Sequence, residues 1–308
     1  MFSFDRMRAL HAVAQHGSVA AAAASLHVTP SGVSQQLAKL EREAGQALLE
    51  PRGRGVRLTR AGRVLAGHAG RILAQVAQAR SDLELLNEEV LGPLRLGAIP
   101  TTVHALLPPT LATLAAQHPR LEVTLREGEA EQTVPQVVAG DLDVAVVEIW
   151  ADRPTVLPPT VTATALFSDV ADLALPSTHR LAHRRAVDLA EVDDVPWIAW
   201  TAGSGCHEWL LHVLRAQQVE PRISCTVGGY PTQLALVAGN AGAALVPRLA
   251  RGTPPAGVRI LTTRPALSRT IVAVCRVGEE EHAGIQAALD ALRAASARFT
   301  TGAAQPVR

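Results

Sequence analysis

Apolar residues over the first ninety positions recur in steps of three and four, and beyond them the pattern changes to short strand-like runs. Ser18 is an N-cap, an alanine-rich helix follows through Leu26, and His27 and Val28 make a turn. Thr29 is the next N-cap. Pro30 stands at the first helical position, where its missing N–H costs nothing. The helix behind it carries Val33, Leu37 and Leu40 at buried spacing and leaves Ser31, Ser34, Gln35 and Lys39 on the other side. From Thr59 to about Val90 there is no proline. Leu65, Ala69, Ile72, Val76, Ala79, Leu83, Leu86 and Val90 predict one long helix with an a/d seam, which needs a partner from its own chain or from a second copy. Gly92-Pro93 ends that helix and serves as a hinge.

After the hinge, residues 94–99, 121–126 and 144–147 read as strands, with helices from Thr101-Thr102 through Leu114 and over about 133–139. This alternation predicts a mostly parallel sheet. A second unit repeats it, with strands 171–175, 197–200, 222–227 and 243–246 and helices 207–217 and 231–239. A strand at 270–274 and a helix at 281–297 close the chain.

A 48% apolar and 19% charged composition is that of a globular chain, and 308 residues suffice for two or three cores. The charge is unevenly spread. Residues 1–80 hold 11 Lys/Arg against 4 Asp/Glu, and the remainder holds 18 against 24, so nucleic acid binding is expected of the first part only. Three arginines, Arg52, Arg54 and Arg57, surround two turn glycines, an arrangement suited to phosphate contact. The polar face of the second helix suits major-groove readout; a merely solvated face is the alternative that the arginines weigh against. No signal peptide opens the chain, no apolar run approaches the roughly 20 residues of a membrane span, and the three cysteines share no close spacing, so a cytoplasmic chain without disulfides or zinc is expected.

Ser18, Ala22-Ala23, Leu26, Val28-Thr29-Pro30, Val33-Ser34, Leu40-Glu41 and Gly55-Val-Arg-Leu-Thr59-x-Ala61-Gly62 resemble the winged helix of LysR-type transcriptional regulators. Leu49 and Pro51 depart from that pattern, where Phe and Arg are usual, as do Ala44 and Ala21. The resemblance extends through Gly140-Asp-Leu-Asp143 and Leu245-Val-Pro247, with Asn240 in place of a usual Gly before a strand. It implies an N-terminal all-α winged helix-turn-helix with a long linker helix, then a C-terminal α/β effector domain of two subdomains, similar to periplasmic binding proteins. The expected boundaries are 1–62, 63–92 and 93–308. Subdomain I takes about 93–163 and 269–308, and subdomain II about 164–268. DNA contacts are expected from Ser18, Thr29, Pro30, Ser31, Ser34, Gln35, Lys39, Arg52, Arg54 and Arg57, and a homodimer or homotetramer from the linker helix.

In open α/β sheets ligands bind beyond the strand C-termini, at helix N-termini. Thr101, Thr102, Thr201, Ser204, Gly205 and His207 occupy such places, with plain N-capping as the alternative. Glu127, Glu129 and Glu148 follow strands, and if they face a cleft they call for a cationic group on the ligand. Tyr230 is a candidate pocket wall. The effector expected is a carboxylate or an amino acid. Ser204 lacks the nucleophile elbow, His207 and His212 lack a zinc-ligand spacing, and there is no P-loop or dinucleotide fingerprint, so no catalytic residue, metal or cofactor is expected. Cys206 beside His207 reads as a buried small hydrophobe before it reads as a redox thiol. Two rivals remain: a solute-binding protein, against which the arginine-rich wing argues, and an architectural DNA binder without a sensor, for which metabolites give no thermal shift.

Overall fold

The computed structural model describes residues 2–52, 55–86 and 90–300. The chain forms two compact units that divide at residues 88–89.

The first unit opens with helices α1 (Phe4–His16), α2 (Val19–Ser25) and α3 (Pro30–Ala44). Both expected caps form. Ser18 Oγ accepts the Ala21 N–H and Thr29 Oγ1 accepts the Gly32 N–H, while His27 takes a left-handed φ of 55° in the turn between α2 and α3. Leu10, Val13, Ala22, Val33, Leu37 and Leu40 make one core. Strands β1 (Leu49–Arg52) and β2 (Gly55–Leu58) pair antiparallel as the wing. Glu41 Oε1 accepts the N–H groups of Leu48 and Leu49, which ties the wing to α3. The long helix α4 (Arg60–Leu86) starts at Thr59, whose hydroxyl donates to the Ala47 carbonyl and accepts the Gly62 N–H. Gly62 has no room for a side chain, since a Cβ there would stand 2.0 Å from the Leu48 carbonyl oxygen.

The seam of α4 is divided. Of the seam, Leu65 packs against this unit's core, beside buried Ala66, and Ala69 is fully buried, whereas Ile72 and Val76, and Val64 next to the seam, are exposed. The side chains of Leu83 and Leu86 lie outside the described residues. Gly92 and Pro93 begin a strand, and the stretch that follows Leu86, on which the expected end of α4 falls, lies in part outside the described residues.

The second unit runs β3 (Gly92–Ala98), α5 (Pro100–Ala105), α6 (Leu107–Gln117), β4 (Leu121–Glu127), α7 (Ala130–Ala139), β5 (Val144–Trp150) and the long β6 (Val161–Pro176). There follow β7 (Ala186–Asp188), β8 (Trp197–Ala199), α8 (Gly205–Ala216), β9 (Ile223–Thr226), α9 (Tyr230–Ala238), β10 (Ala244–Pro247), α10 (Arg248–Arg251), β11 (Val258–Arg264), β12 (Leu267–Arg276) and α11 (Ala283–Thr300). β3 pairs parallel with β4 and β5, as expected of strand–helix–strand units. The sheet as a whole is mixed, a correction to the mostly parallel expectation. β12 is antiparallel to β5 and β6, and β6 is antiparallel to β10 and β11. β6 and β12 therefore run from one α/β half into the other.

The first half packs Leu94, Leu96, Val144, Ile271 and Leu289, and the second packs Leu173, Trp197, Leu210, Leu214 and Leu245. Asn240 adopts φ 60°, so it serves the left-handed turn that glycine usually takes. No described helix is long and apolar enough to cross a membrane.

Candidate functional site

In the first unit, the α3 face holding Ser31, Ser34, Gln35 and Lys39 is exposed, as are Thr29 and Pro30 at its start. Its hydroxyls are partly spent within the helix. Ser34 Oγ donates to the Pro30 carbonyl, Thr29 Oγ1 is the cap, and Ser31 Oγ lies 3.1 Å from it. Ser18 is half-buried and caps α2. In the wing, Arg57 Nε donates to Glu50 Oε1 at 2.6 Å across the strand pair, yet the side chain is 59% exposed and open to further acceptors. The side chain of Arg52 and all of Arg54 lie outside the described residues.

In the second unit, two cavities open between elements of the two α/β halves. The larger, of about 640 Å³, is lined by Thr101 and Glu127 from the first half and by Tyr230, Leu234 and Arg251 from the second. The smaller, of about 270 Å³, is lined by Glu129, Glu131, Glu148 and Trp150 on one side and by Gly205, Cys206 and Trp209 on the other. Thr101, Glu127 and Tyr230 thus share one cavity, and Glu148 and Gly205 share the other.

The remaining sequence-predicted residues line neither cavity. Thr102 is fully buried and its hydroxyl donates to the Ile99 carbonyl. The first turn of α5 turns it inward, so Thr101 alone of the pair reaches the cleft. Ser204 caps α8 by accepting the His207 N–H, and His207 is nearly buried with Nδ1 2.9 Å from the Trp200 carbonyl oxygen. Thr201 is exposed in the preceding turn.

Arg269, which the sequence reading missed, joins the two cavities. It is fully buried on β12 and donates through Nε and Nη2 to Asp169 Oδ2, at 3.0 and 2.8 Å. It also donates through Nη1 to Glu148 and through Nη2 to Thr101 Oγ1 at 3.4 Å. Burial opposes its charge, but Glu148 and Asp169 outweigh burial and hold its pKa above the ordinary value. Glu148 has a full set of partners, because Oε1 also accepts Trp150 Nε1–H and the Cys206 thiol. Trp150 stacks on Trp209 with centroids 3.6 Å apart, which closes the floor of the smaller cavity. The strand parity of Leu267, Arg269 and Ile271 is the one sequence signal that could have found this arginine, since all three point inward.

No donor of Arg269 goes to Glu129. Burial, then the neighbouring Glu148 and Glu131 carboxylates, push the Glu129 carboxyl up to about 7. The same surroundings, burial first and Glu148 next, raise the Cys206 thiol well above its usual range, so it is a neutral donor and not a reactive thiolate. Glu129, Glu148 and Cys206 bring their donor atoms within 4.8 Å of one another, but Arg269, Trp150 and Cys206 already occupy Glu148.

Residues 4–63 match the family described as bacterial regulatory helix-turn-helix protein, lysR family, and residues 87–297 match the LysR substrate binding domain. The chain is 32% identical over 240 residues to the HTH-type transcriptional activator IlvY of Salmonella typhimurium, covering 77% of this chain and 79% of that protein. It is 28% identical over 290 residues to the DNA-binding transcriptional dual regulator OxyR of Escherichia coli, covering 92% and 93%. Among solved structures, a full-length OxyR variant of Pseudomonas aeruginosa has the same fold, with a TM-score of 0.71 at 20% identity over 95% of this chain and 98% of that one.

Proposed function

The chain belongs to the LysR family of bacterial transcription regulators, and from that premise we propose that it reads an operator through α3 and an amino acid through its cleft. The exposed face of α3 carries the first part. Gln35 stands there with Ser31 and Lys39, on a helix whose opposite face is locked into the core. A glutamine makes paired hydrogen bonds to adenine, worth roughly 1–3 kcal/mol of discrimination. Gln35→Ala is therefore expected to weaken operator binding about tenfold or more while leaving binding to random duplex nearly unchanged. Equal losses on both duplexes in a gel-shift titration would remove Gln35 from base recognition.

The wing arginines contact phosphate in this reading. Arg57 keeps its guanidinium near the surface by pairing with Glu50, and phosphate takes the remaining donors. Arg57→Ala is expected to weaken all duplexes alike. In a dimer it lowers the log–log salt slope by up to about two, one phosphate per half-site. A slope that stays put assigns Arg57 to wing structure alone. The exposed Val64, Ile72 and Val76 of α4 support pairing with a second copy, which sets two α3 helices on two half-sites.

The cleft lining supports an effector that carries a cation beside its carboxylate. Glu127 faces the larger cavity and Glu129 the smaller, and Arg269 is already engaged elsewhere. Arg251, which pairs through Nη1 with Asp172, and the start of α9 face the same larger cavity, and the donors of Arg251 beyond that pair suit the carboxylate. The test is a thermal-shift screen of amino acids, simple carboxylates and amines on the full chain, followed by footprinting with each hit. Thr101→Val is expected to lose the hit's thermal shift and keep effector-free DNA binding. A variant that binds the hit with wild-type affinity places the site elsewhere.

A further inference from the structure

The two cavities of the cleft differ in chemistry. The smaller carries three carboxylates, Glu129, Glu131 and Glu148, beside its stacked tryptophans. The larger is lined mostly by apolar side chains. Val103 of α5 and Leu249 and Ala250 of α10 are half-buried there, and Pro231 of α9 and Pro255 are exposed. A concave site with a mostly apolar lining and a few polar groups that fix orientation is what a small-molecule pocket shows. At about 640 Å³ it lies within the roughly 300–1,000 Å³ of such pockets, so it has room beyond an ammonium and a carboxylate. Its charged side chains are few. Glu127 and Arg251 supply one of each sign, Arg251 with Nη1 already on Asp172, and His104 is exposed to water.

We propose that the effector carries a bulky apolar side chain, branched or aromatic, which packs against Val103 and Leu249 in the larger cavity. This rests on the amino-acid reading of the cleft and narrows it to one class. The ammonium and the carboxylate of an amino acid use Glu127 and Arg251, and what remains around them is apolar wall. An amide or a charged side chain set against that wall loses its water and gains no partner. An apolar side chain gains by leaving water, and each further methylene gains more.

The experiment is calorimetric titration of the full chain with leucine, phenylalanine, alanine, asparagine, aspartate and lysine. Isocaproate, which is leucine without its amino group, completes the set. Leucine or phenylalanine is expected to bind at least tenfold tighter than alanine and asparagine, because one methylene in an apolar pocket is worth roughly tenfold or more. Val103→Ala and Leu249→Ala should each weaken the tighter ligand by about tenfold and leave alanine nearly unchanged. The ligand series on the unmutated chain decides even if a variant fails to fold. Alanine as tight as leucine and phenylalanine overturns the proposal and leaves the amino-acid reading standing. So does asparagine, aspartate or lysine as the tightest ligand, and so does a leucine affinity that neither variant changes. Isocaproate binding where leucine does not, with the same loss in both variants, upholds the apolar class and overturns the amino-acid reading. A chain that binds none of the seven overturns both.

Discussion

Arg269→Met is expected to lower the melting temperature of the second unit by on the order of 10 °C. The arginine is fully buried, and its guanidinium is the shared counter-ion of Glu148 and Asp169. Removing one partner from a buried pair costs roughly 3–5 kcal/mol, because the remaining charges are left in a poorly solvating interior. For a unit of this size each kcal/mol moves the transition by about 2–4 °C. The loss comes from the abandoned carboxylates and not from lost packing. The combined variant Arg269→Met, Glu148→Gln, Asp169→Asn should therefore recover most of it, since apolar or neutral replacements of whole buried ion sets are often tolerated. Differential scanning of both variants checks this. A shift under about 2 °C for the single variant, or no recovery in the triple one, would mean that the cluster is solvated in a way its burial does not indicate.

Glu129→Gln is expected to stabilise the protein above neutral pH and to do little in acid. The carboxyl titrates at about 7 in the folded chain, against 4.5 for the ordinary group. Below the lower value it is protonated whether the chain is folded or not, so the variant gains nothing. Between the two values the folded chain holds a proton that the unfolded chain has released. Wild-type stability therefore falls, relative to the variant, as pH rises. Above about 7 the gap is constant, on the order of 3 kcal/mol. Melting curves of both proteins from pH 5 to 8.5 should diverge through this window and then run parallel. Profiles that stay parallel throughout would show that Glu129 is better hydrated than its place beside Glu148 implies. An effector cation bound there relieves the same penalty, so the wild type should gain more from it at pH 8 than at pH 6.

The first unit was legible in the sequence because its signals are local. Thr29, Pro30 and the spacing of Val33, Leu37 and Leu40 fix α3 within a dozen residues, and Ser204 marks the start of α8 in the same way. The centre of the cleft was not legible, since Arg269 meets Asp169 across 100 positions and Glu148 across 121. Neither partner differs from a solvated charge when read along the chain. The first part of β6 was placed only as the boundary between the subdomains, near 163, and not as a strand, because its alternating threonines and alanines present no strong apolar face. Thr102 was misread because the rule that places hydroxyls at helix starts does not say which of two neighbours turns inward.

The ties of Glu41 to the wing, of Thr59 to Ala47, and the bare Cα of Gly62 against Leu48 leave no joint between α3, the wing and the first turns of α4. The reading surface and the helix behave as blade and shaft. On the reading proposed above, a turn of the start of α4 would carry α3 and the wing with it. Each head then keeps its vocabulary of bases whatever the shaft does. In the dimer proposed above, a turning shaft would alter the gauge between two heads, so regulation would choose among half-site spacings and not among half-site sequences.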